Sequence, residues 1–257
     1  MTTKTEAQSI LARSRDPDWY WRNVLGVEHV YPKQVEMAGS VLNNRRTSVV
    51  GCNSSGKDWN TGRIVLWWLG IHEHAKAIVI GPTYRQVADI VFRETRTAYQ
   101  TAKFPLGGTM YDTPRYEIAQ DRFALGFSTD EAYNIQGFHS PHLLAVITEA
   151  HGVAQGHIDA IKRLNPQRIL MTGNPLSVGG EFYESHHSMR DTYNCIEISA
   201  FDTPNLLAGE VVVPGMVTQE DIDECKEDYG EESPMYKARI LGQFPDNLDD
   251  AIVLLRD

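Results

Sequence analysis

The sequence has no long apolar run, few cysteines and no surplus of positive charge. No stretch of its 257 residues approaches the roughly 20 apolar side chains that a spanning helix needs. Its longest apolar patches, such as Ile64-Val-Leu-Trp-Trp-Leu69, have the length of a strand or a short helix. The three cysteines, Cys52, Cys195 and Cys225, stand far apart, and no pair has a metal-ligand spacing. They read as ordinary reduced thiols. The histidines fall close together at His72 and His74, at His186 and His187, and loosely at His139, His142 and His151. None of these groupings is a complete ligand set, so they read as structural or solvent-exposed. The opening residues, Met1-Thr-Thr-Lys-Thr-Glu-Ala7, lack the apolar core of a signal peptide. A cytoplasmic setting without membrane association is therefore expected.

The formal net charge is −10, and residues 220–250, with eleven acidic and three basic side chains, hold most of it. Such acidity disfavours a simple non-specific DNA-binding surface, which needs clustered lysine and arginine. A local basic face, or DNA binding through a partner or a further domain, stays open. The length suits one large domain, or one domain with a small appendage.

Along the chain, residues 1–30 read as a helical arm anchored by Asp18-Trp-Tyr-Trp21. Short apolar runs then alternate with helical stretches. Strands are predicted at 47–50, 77–80, 116–118, 123–127, 143–147, 168–171 and 193–198. Helices are predicted at 59–69, 84–99, 157–164 and 181–189. The run Leu143-Leu-Ala-Val-Ile147 is apolar enough to be buried on both faces. This alternation predicts an α/β fold with a mainly parallel central sheet. Past residue 204 the pattern changes to an acidic helical segment. Thr218, with Asp221 three positions on, predicts a capped helix start there, and Ser233-Pro234 predicts another. We therefore expect a main domain over 1–204 and a small helical subdomain over 205–257. The apolar stretch Ala251-Ile-Val-Leu-Leu255 is expected to pack as an element or to lead into a further domain.

One motif carries chemistry. Gly51-Cys-Asn-Ser-Ser-Gly-Lys-Asp58 follows a strand and precedes a helix, as a phosphate-binding P-loop does. Its glycines allow a tight turn, its backbone N–H groups point inward, and the helix N-terminus adds a favourable dipole. Gly51, Cys52, Asn53, Ser54, Ser55, Gly56, Lys57 and Asp58 are thus candidates to cradle a nucleoside triphosphate, with Lys57 on the β and γ phosphates. Position 58 departs from the pattern, because a hydroxyl that coordinates Mg²⁺ is usual there. At the end of the 143–147 strand, Thr148 stands where an aspartate for the metal is usual. Glu149, next to it, is the candidate to align or deprotonate an attacking water. The hydroxyl expected at 58 is found at 148, and the carboxylate expected at 148 is found at 58. Either Asp58 and Thr148 have exchanged places as metal ligands, or the metal site is altered or lost.

Taken in order, these residues resemble the ATPase domain of a tailed-bacteriophage terminase large subunit, a P-loop NTPase of the RecA-like class. The resemblance runs over nearly the whole chain. Tyr31-Pro-Lys-Gln34 resembles the adenine-recognition motif, with Gln34 as its amide. Asn53-Ser-Ser-Gly-Lys57 resembles the family's P-loop, and Gly81-Pro-Thr-Tyr-Arg-Gln86 the segment after the second strand. Gln136-Gly-Phe-His139 and Ile147-Thr-Glu-Ala-His-Gly152 resemble the approach to the acidic strand and its end. Thr172-Gly-Asn-Pro175 resembles the coupling motif, which places Thr172 and Asn174 near the γ phosphate. From the residues alone, Gly173-Asn174-Pro175 is equally an ordinary turn. Tyr229-Gly-Glu231 and Leu241-Gly-Gln-Phe-Pro245 resemble the linker subdomain.

The resemblance implies hydrolysis of ATP with Mg²⁺ to drive double-stranded viral DNA into a procapsid. It implies the portal protein, the small terminase subunit and further copies in a ring, expected to be a pentamer, as partners. The setting would be the cytoplasm of the bacterial host, transiently at the portal. A nuclease domain is expected beyond residue 257. Arg63, Arg85, Arg115 and Arg122 are candidates to stabilise the transferring phosphoryl group. Two other readings stay open: another nucleic-acid-dependent P-loop ATPase, and a nucleotide-binding assembly module with impaired hydrolysis.

Overall fold

A computed structural model describes residues 4–129 and 137–245. Gln136 and the apolar stretch 251–255 lie outside the described residues. The chain begins with α1 (Lys4–Ser14) and α2 (Pro17–Tyr20), followed by a π-helical turn at Trp21–Leu25 and α3 (Pro32–Asn43). Asp16 caps α2 by accepting from the N–H groups of Asp18 and Trp19. Pro17 sits in the first turn, where its missing N–H costs no helical bond. Tyr20 and Trp21 are buried, as the aromatic cluster predicts.

The alternating part follows: β1 (Arg46–Gly51), α4 (Lys57–Ile71), β2 (Ala75–Gly81), α5 (Phe92–Gln100), β3 (Thr109–Met110), β4 (Arg115–Ala119), β5 (Arg122–Ser128), β6 (His142–Ile147), α6 (Gln155–Arg163), β7 (Arg168–Gly173), α7 (Gly180–His186) and β8 (Asn194–Ile198). The C-terminal helices are α8 (Pro204–Ala208), α9 (Gln219–Tyr229) and α10 (Pro234–Tyr236), with a π-helical turn at Lys237–Leu241. Thr218 and Asp221 cap α9 reciprocally, as expected.

Two expected helices differ. The one predicted at 84–99 is split into a π-helical turn, Gln86–Val91, and α5. The one predicted at 181–189 stops at His186, because His187 leaves helical backbone geometry. The strand β3 has only two residues and no pattern that predicts it.

The strands form one sheet in the order β3-β4-β5-β2-β6-β7-β1-β8. From β5 to β8 all neighbours are parallel, and β3, β4 and β5 form antiparallel pairs. Side-chain alternation divides the sheet's apolar residues between its faces. Val49, Val79, Val146 and Leu170 pack with α3 and α4 residues such as Met37, Ile64 and Trp67. Val50, Ile80, Ile147 and Met171 pack with Ile158 and Ile161 of α6 and Phe182 of α7. After β1 the chain crosses β7 and β6 to lay down β2, and later fills the gap. This reversal makes the carboxyl ends of β1, β7 and β6 the topological switch point, where open α/β sheets bind ligands.

The α4–α5 contact is close. A Cβ on Gly62 would lie 2.7 Å from the backbone nitrogen of Thr95, whereas one on Gly156 in α6 would meet nothing within 4 Å. Gly62→Ala should therefore cost about 1–3 kcal/mol by overpacking. Gly156→Ala should be neutral or stabilise by up to about 1 kcal/mol. Urea unfolding midpoints check this, and equal midpoints for both variants would contradict the packing described.

Candidate functional site

The end of β1 turns sharply into α4. A Cβ on Gly51 would lie 2.9 Å from Ser55 Oγ, so a side chain there would have to displace Ser55. Ser54 and Gly56 take left-handed backbone angles, with φ of 51° and 79°. Gly56 does so freely; a serine there is uncommon and marks a constrained turn. No side chain caps α4, so its first N–H groups are left to receive an anion. Lys57 is buried inside the loop, where its Nζ donates to Cys52 O at 2.8 Å, Gly51 O at 3.2 Å and Ser55 Oγ at 3.3 Å.

Two neighbouring elements hold this loop. From the start of α3, the Tyr31 hydroxyl donates to Ser55 O. In the same helix Gln34 Oε1 accepts the Tyr31 N–H at 3.3 Å, and its backbone oxygen accepts from Asn60 Nδ2 of α4 at 3.1 Å. From the C-terminal segment, Arg239 O accepts the Asn53 N–H at 2.9 Å, and the Val217 N–H donates to Ser54 O at 3.2 Å. The Cys52 N–H is likewise taken, by Ile198 O at 2.8 Å. The Cys52 side chain is buried with Ile222, Cys225, Tyr236 and Ile240. Burial pushes its thiol up to about 11, against the pull of Lys57, so it is not a reactive thiolate.

Across the cavity, Thr148 and Glu149 follow β6. Thr148 Oγ1 donates to Asp58 Oδ1 at 2.9 Å, so the two departures from the usual pattern meet in one hydrogen bond. Glu149 has a left-handed backbone with φ of 47°, a conformation a bulky residue adopts only when its surroundings enforce it. Burial and the Asp58 carboxylate raise its pKa, and Lys57 opposes them. His151 Nδ1 lies 3.3 Å from Glu149 Oε2 but makes no hydrogen bond. Burial and Lys57 lower the imidazole to about 4, so it is neutral near pH 7 and forms no ion pair with Glu149.

Gln34, Asn53, Ser54, Ser55, Gly56, Lys57, Asp58, Glu149 and Asn174 all line one cavity of about 900 Å³. Asn174 Nδ2 donates to Asn53 Oδ1 at 2.6 Å, tying the end of β7 to the loop. Four sequence candidates lie behind this wall. Gly51 and Cys52 form its buried base, Thr148 reaches it only through Asp58, and Thr172 is buried within the last turn of the β7 ladder. Of the candidate arginines, Arg63 lines the cavity. Arg115 pairs with Glu117, and Arg122 donates to Leu69 O, so both are engaged elsewhere. Arg85 is exposed.

Sequence reasoning missed the Tyr31 hydroxyl and the backbone contacts from Val217 and Arg239. Tyr31 opens the Tyr31-Pro-Lys-Gln34 motif, but the resemblance gave a role only to Gln34. The backbone contacts have no side-chain signature. Among the described residues no group of three or more His, Cys, Asp or Glu is placed to hold a metal, and no helix is long and apolar enough to cross a membrane.

No protein-family model matches the chain. It is similar to a curated protein, the probable terminase large subunit of Enterobacteria phage P7, with 25% identity over 231 residues. That match takes in 82% of this chain and 44% of the relative, so the chain spans less than half the relative's length. Among solved structures it is similar to the large terminase ATPase domain of Thermus phage P74-26. That likeness has a TM-score of 0.63 and 14% identity, and covers 89% of this chain and 98% of the other. It is also similar to the large terminase of a thermophilic bacteriophage solved with ATP-gamma-S. There the TM-score is 0.62 and the identity 12%, over 84% of this chain and 53% of that one. The P-loop fold read from the sequence and the resemblance to terminase large subunits are both borne out by these likenesses.

The electrostatics give a pH prediction. Folding makes Glu149 easier to protonate than its ordinary value of 4.5. Its contribution to stability is therefore largest below that value and falls as pH rises through the raised one. The carboxyl ¹³C resonance of Glu149 should titrate above its ordinary range, and Asp58→Asn should lower the midpoint by removing a like charge. A midpoint unmoved by Asp58→Asn would contradict the coupling.

Proposed function

We propose that this chain is the ATPase motor portion of a tailed-phage terminase large subunit, which hydrolyses ATP to drive double-stranded DNA into a procapsid. The observation that carries the reading is the convergence of Lys57, Asp58 and Glu149 on one cavity at the switch point of a P-loop sheet. Likeness to terminases, one solved with an ATP analogue, supports it. Residues 205–257 act as a linker subdomain, helical among its described residues at α8, α9 and α10. The portal protein, the small terminase subunit and further copies in a ring are the partners that such a motor uses, in the cytoplasm of the bacterial host and at the portal.

The residues perform the reaction as follows. The uncapped N-terminus of α4 and the N–H groups after Asn53 receive the phosphates. Lys57 exchanges its carbonyl partners for β- and γ-phosphate oxygens, a gain because both new partners are charged. Gln34 lies at the cavity wall with its Nε2 free to read the adenine edge. A water attacks the γ phosphorus, the bond to the ADP oxygen breaks, and Glu149 takes the proton. A carboxylate of raised proton affinity is better matched to that task than an ordinary one. Asn174, fixed on Asn53, faces the same phosphate, and Thr172 braces the strand behind it.

The donor set fits Mg²⁺, a hard cation that takes oxygen ligands. Asp58, with one oxygen held by Thr148 and the other left over, would be its protein ligand, and Thr148 would support that carboxylate. Bound there, the ion would neutralise charge on the phosphates. Because Arg239 and Val217 bond directly to the P-loop backbone, any change of the loop on hydrolysis is passed to the C-terminal helices.

Lys57→Ala should abolish tight ATP binding. Glu149→Gln should bind ATP within a few-fold of the parent yet lose about 10²–10⁴ in turnover, measured with Mg²⁺, DNA and procapsids. Parental turnover in Glu149→Gln would refute the assignment. Tight binding without turnover in the parent would favour a nucleotide-binding assembly module instead, a reading that Asp58 at the usual hydroxyl position supports.

A further inference from the structure

The cavity extends beyond the phosphate cradle. From Gly56 and Lys57 it continues along α4 past Trp59 and Arg63 towards Glu94 of α5. The chain has five tryptophans. Trp21, Trp67 and Trp68 belong to the apolar core, and Trp19 packs against it. Trp59 is in none of the apolar clusters. It is half-buried, two residues after Lys57, on the wall of the cavity. No packing requirement of the fold accounts for an indole there.

Arg63, one helical turn on, fixes this side chain. Its guanidinium carbon lies 3.5 Å from the centroid of the indole. Its Nη1 donates to Trp59 O at 2.8 Å and lies 3.4 Å from Glu94 Oε2. Arg63 is only 5% exposed although it borders the cavity, and its Nε has no partner. Burying a cation with an unmet donor is costly unless the site has a use for it. The guanidinium covers one face of the ring, and the indole itself lines the cavity where a planar ligand would lie. Gln34, on the same cavity, supplies an amide that reads the edge of such a ligand.

We propose that Trp59, braced by Arg63 and Glu94, stacks on the base of the bound nucleoside triphosphate and is a specificity-determining residue that favours purines over pyrimidines. The proposal rests on the phosphate-cradle reading above. Its physical basis is that stacking grows with the area of the two rings, whereas the P-loop contacts are the same for every triphosphate.

The test uses the full chain with Mg²⁺ and three probes: ATP, CTP and base-free tripolyphosphate. Trp59→Ala should weaken ATP binding about tenfold, leave tripolyphosphate within about twofold, and collapse the preference for ATP over CTP. Trp59→Phe should retain most of the ATP affinity. In the parent, ATP should quench tryptophan fluorescence and tripolyphosphate should not, and Trp59→Phe should abolish the quench. Equal losses for ATP and tripolyphosphate in Trp59→Ala, or no loss for either, would overturn the stacking role while leaving the cradle intact. If the parent bound neither probe, the cradle reading would fail and this proposal with it.

Discussion

Everything at the site depends on one strand, β7, lying between β1 and β6. Neighbouring strands are about 4.8 Å apart, so the loops after β1 and β6 start about 10 Å apart, facing each other across the end of β7. Lys57 and Glu149 line one cavity across that gap, and the proposed attack needs a phosphoryl group and a water to lie between them. Were β1 and β6 neighbours, the two side chains would meet and form an ion pair. The sheet order therefore sets the chemistry before any side chain is chosen. At the floor of the gap Thr148 reaches over to Asp58.

The loop itself is held from three sides by groups unconnected with phosphate: the Tyr31 hydroxyl, the strand β8 through Ile198, and the C-terminal segment through Val217 and Arg239. Gly242 belongs to the same clamp. A Cβ there would lie 2.4 Å from Ile198 O and 2.9 Å from Cys52 N, so the segment after α10 lies flat on the base of the P-loop. A loop pre-shaped in this way binds an anion without first being ordered, which preserves affinity. The same contacts join the acidic helices mechanically to the nucleotide. Among the described residues, Asp221, Glu224 and Asp228 of α9 line a cleft shared with Asn53 and Ser54 of the P-loop, so part of the chain's acidity stands beside that loop.

Much of this was legible in the sequence, for identifiable reasons. The P-loop is recognisable because its backbone needs glycines at fixed places, and α9 because a capping pair leaves Thr218 and Asp221 at fixed spacing. Glu149 is recognisable because it ends an uninterrupted apolar strand. The exchange between positions 58 and 148 was visible as two departures from a pattern, but not that a hydrogen bond joins them, since contact across strands is not encoded locally. The π-helical turn at Gln86–Val91 escaped because its residues suit an α-helix equally well. Thr172 was expected near the γ phosphate, yet period-two alternation keeps it inside the sheet, and Asn174, past the strand's end, reaches the cavity instead. The clamp from Arg239 and Val217 uses only backbone atoms, so no choice of residue announces it. By contrast, the pairing of Trp59 with Arg63 follows helical i, i+4 spacing and was open to a closer reading.

The central claim is that Asp58 and Thr148 act as one unit in place of the usual hydroxyl and carboxylate. The most direct measurement is a double-mutant cycle of the parent, Asp58→Thr, Thr148→Asp and the combined variant, read by Mg²⁺-dependent ATP affinity and turnover. Because the two side chains are in contact, their effects should be strongly non-additive. Each single change should impair both quantities, and the combined change, which restores the usual arrangement, should recover them. An increase in affinity and turnover from Asp58→Thr alone would show that Asp58 only obstructs the phosphates, and would contradict the account.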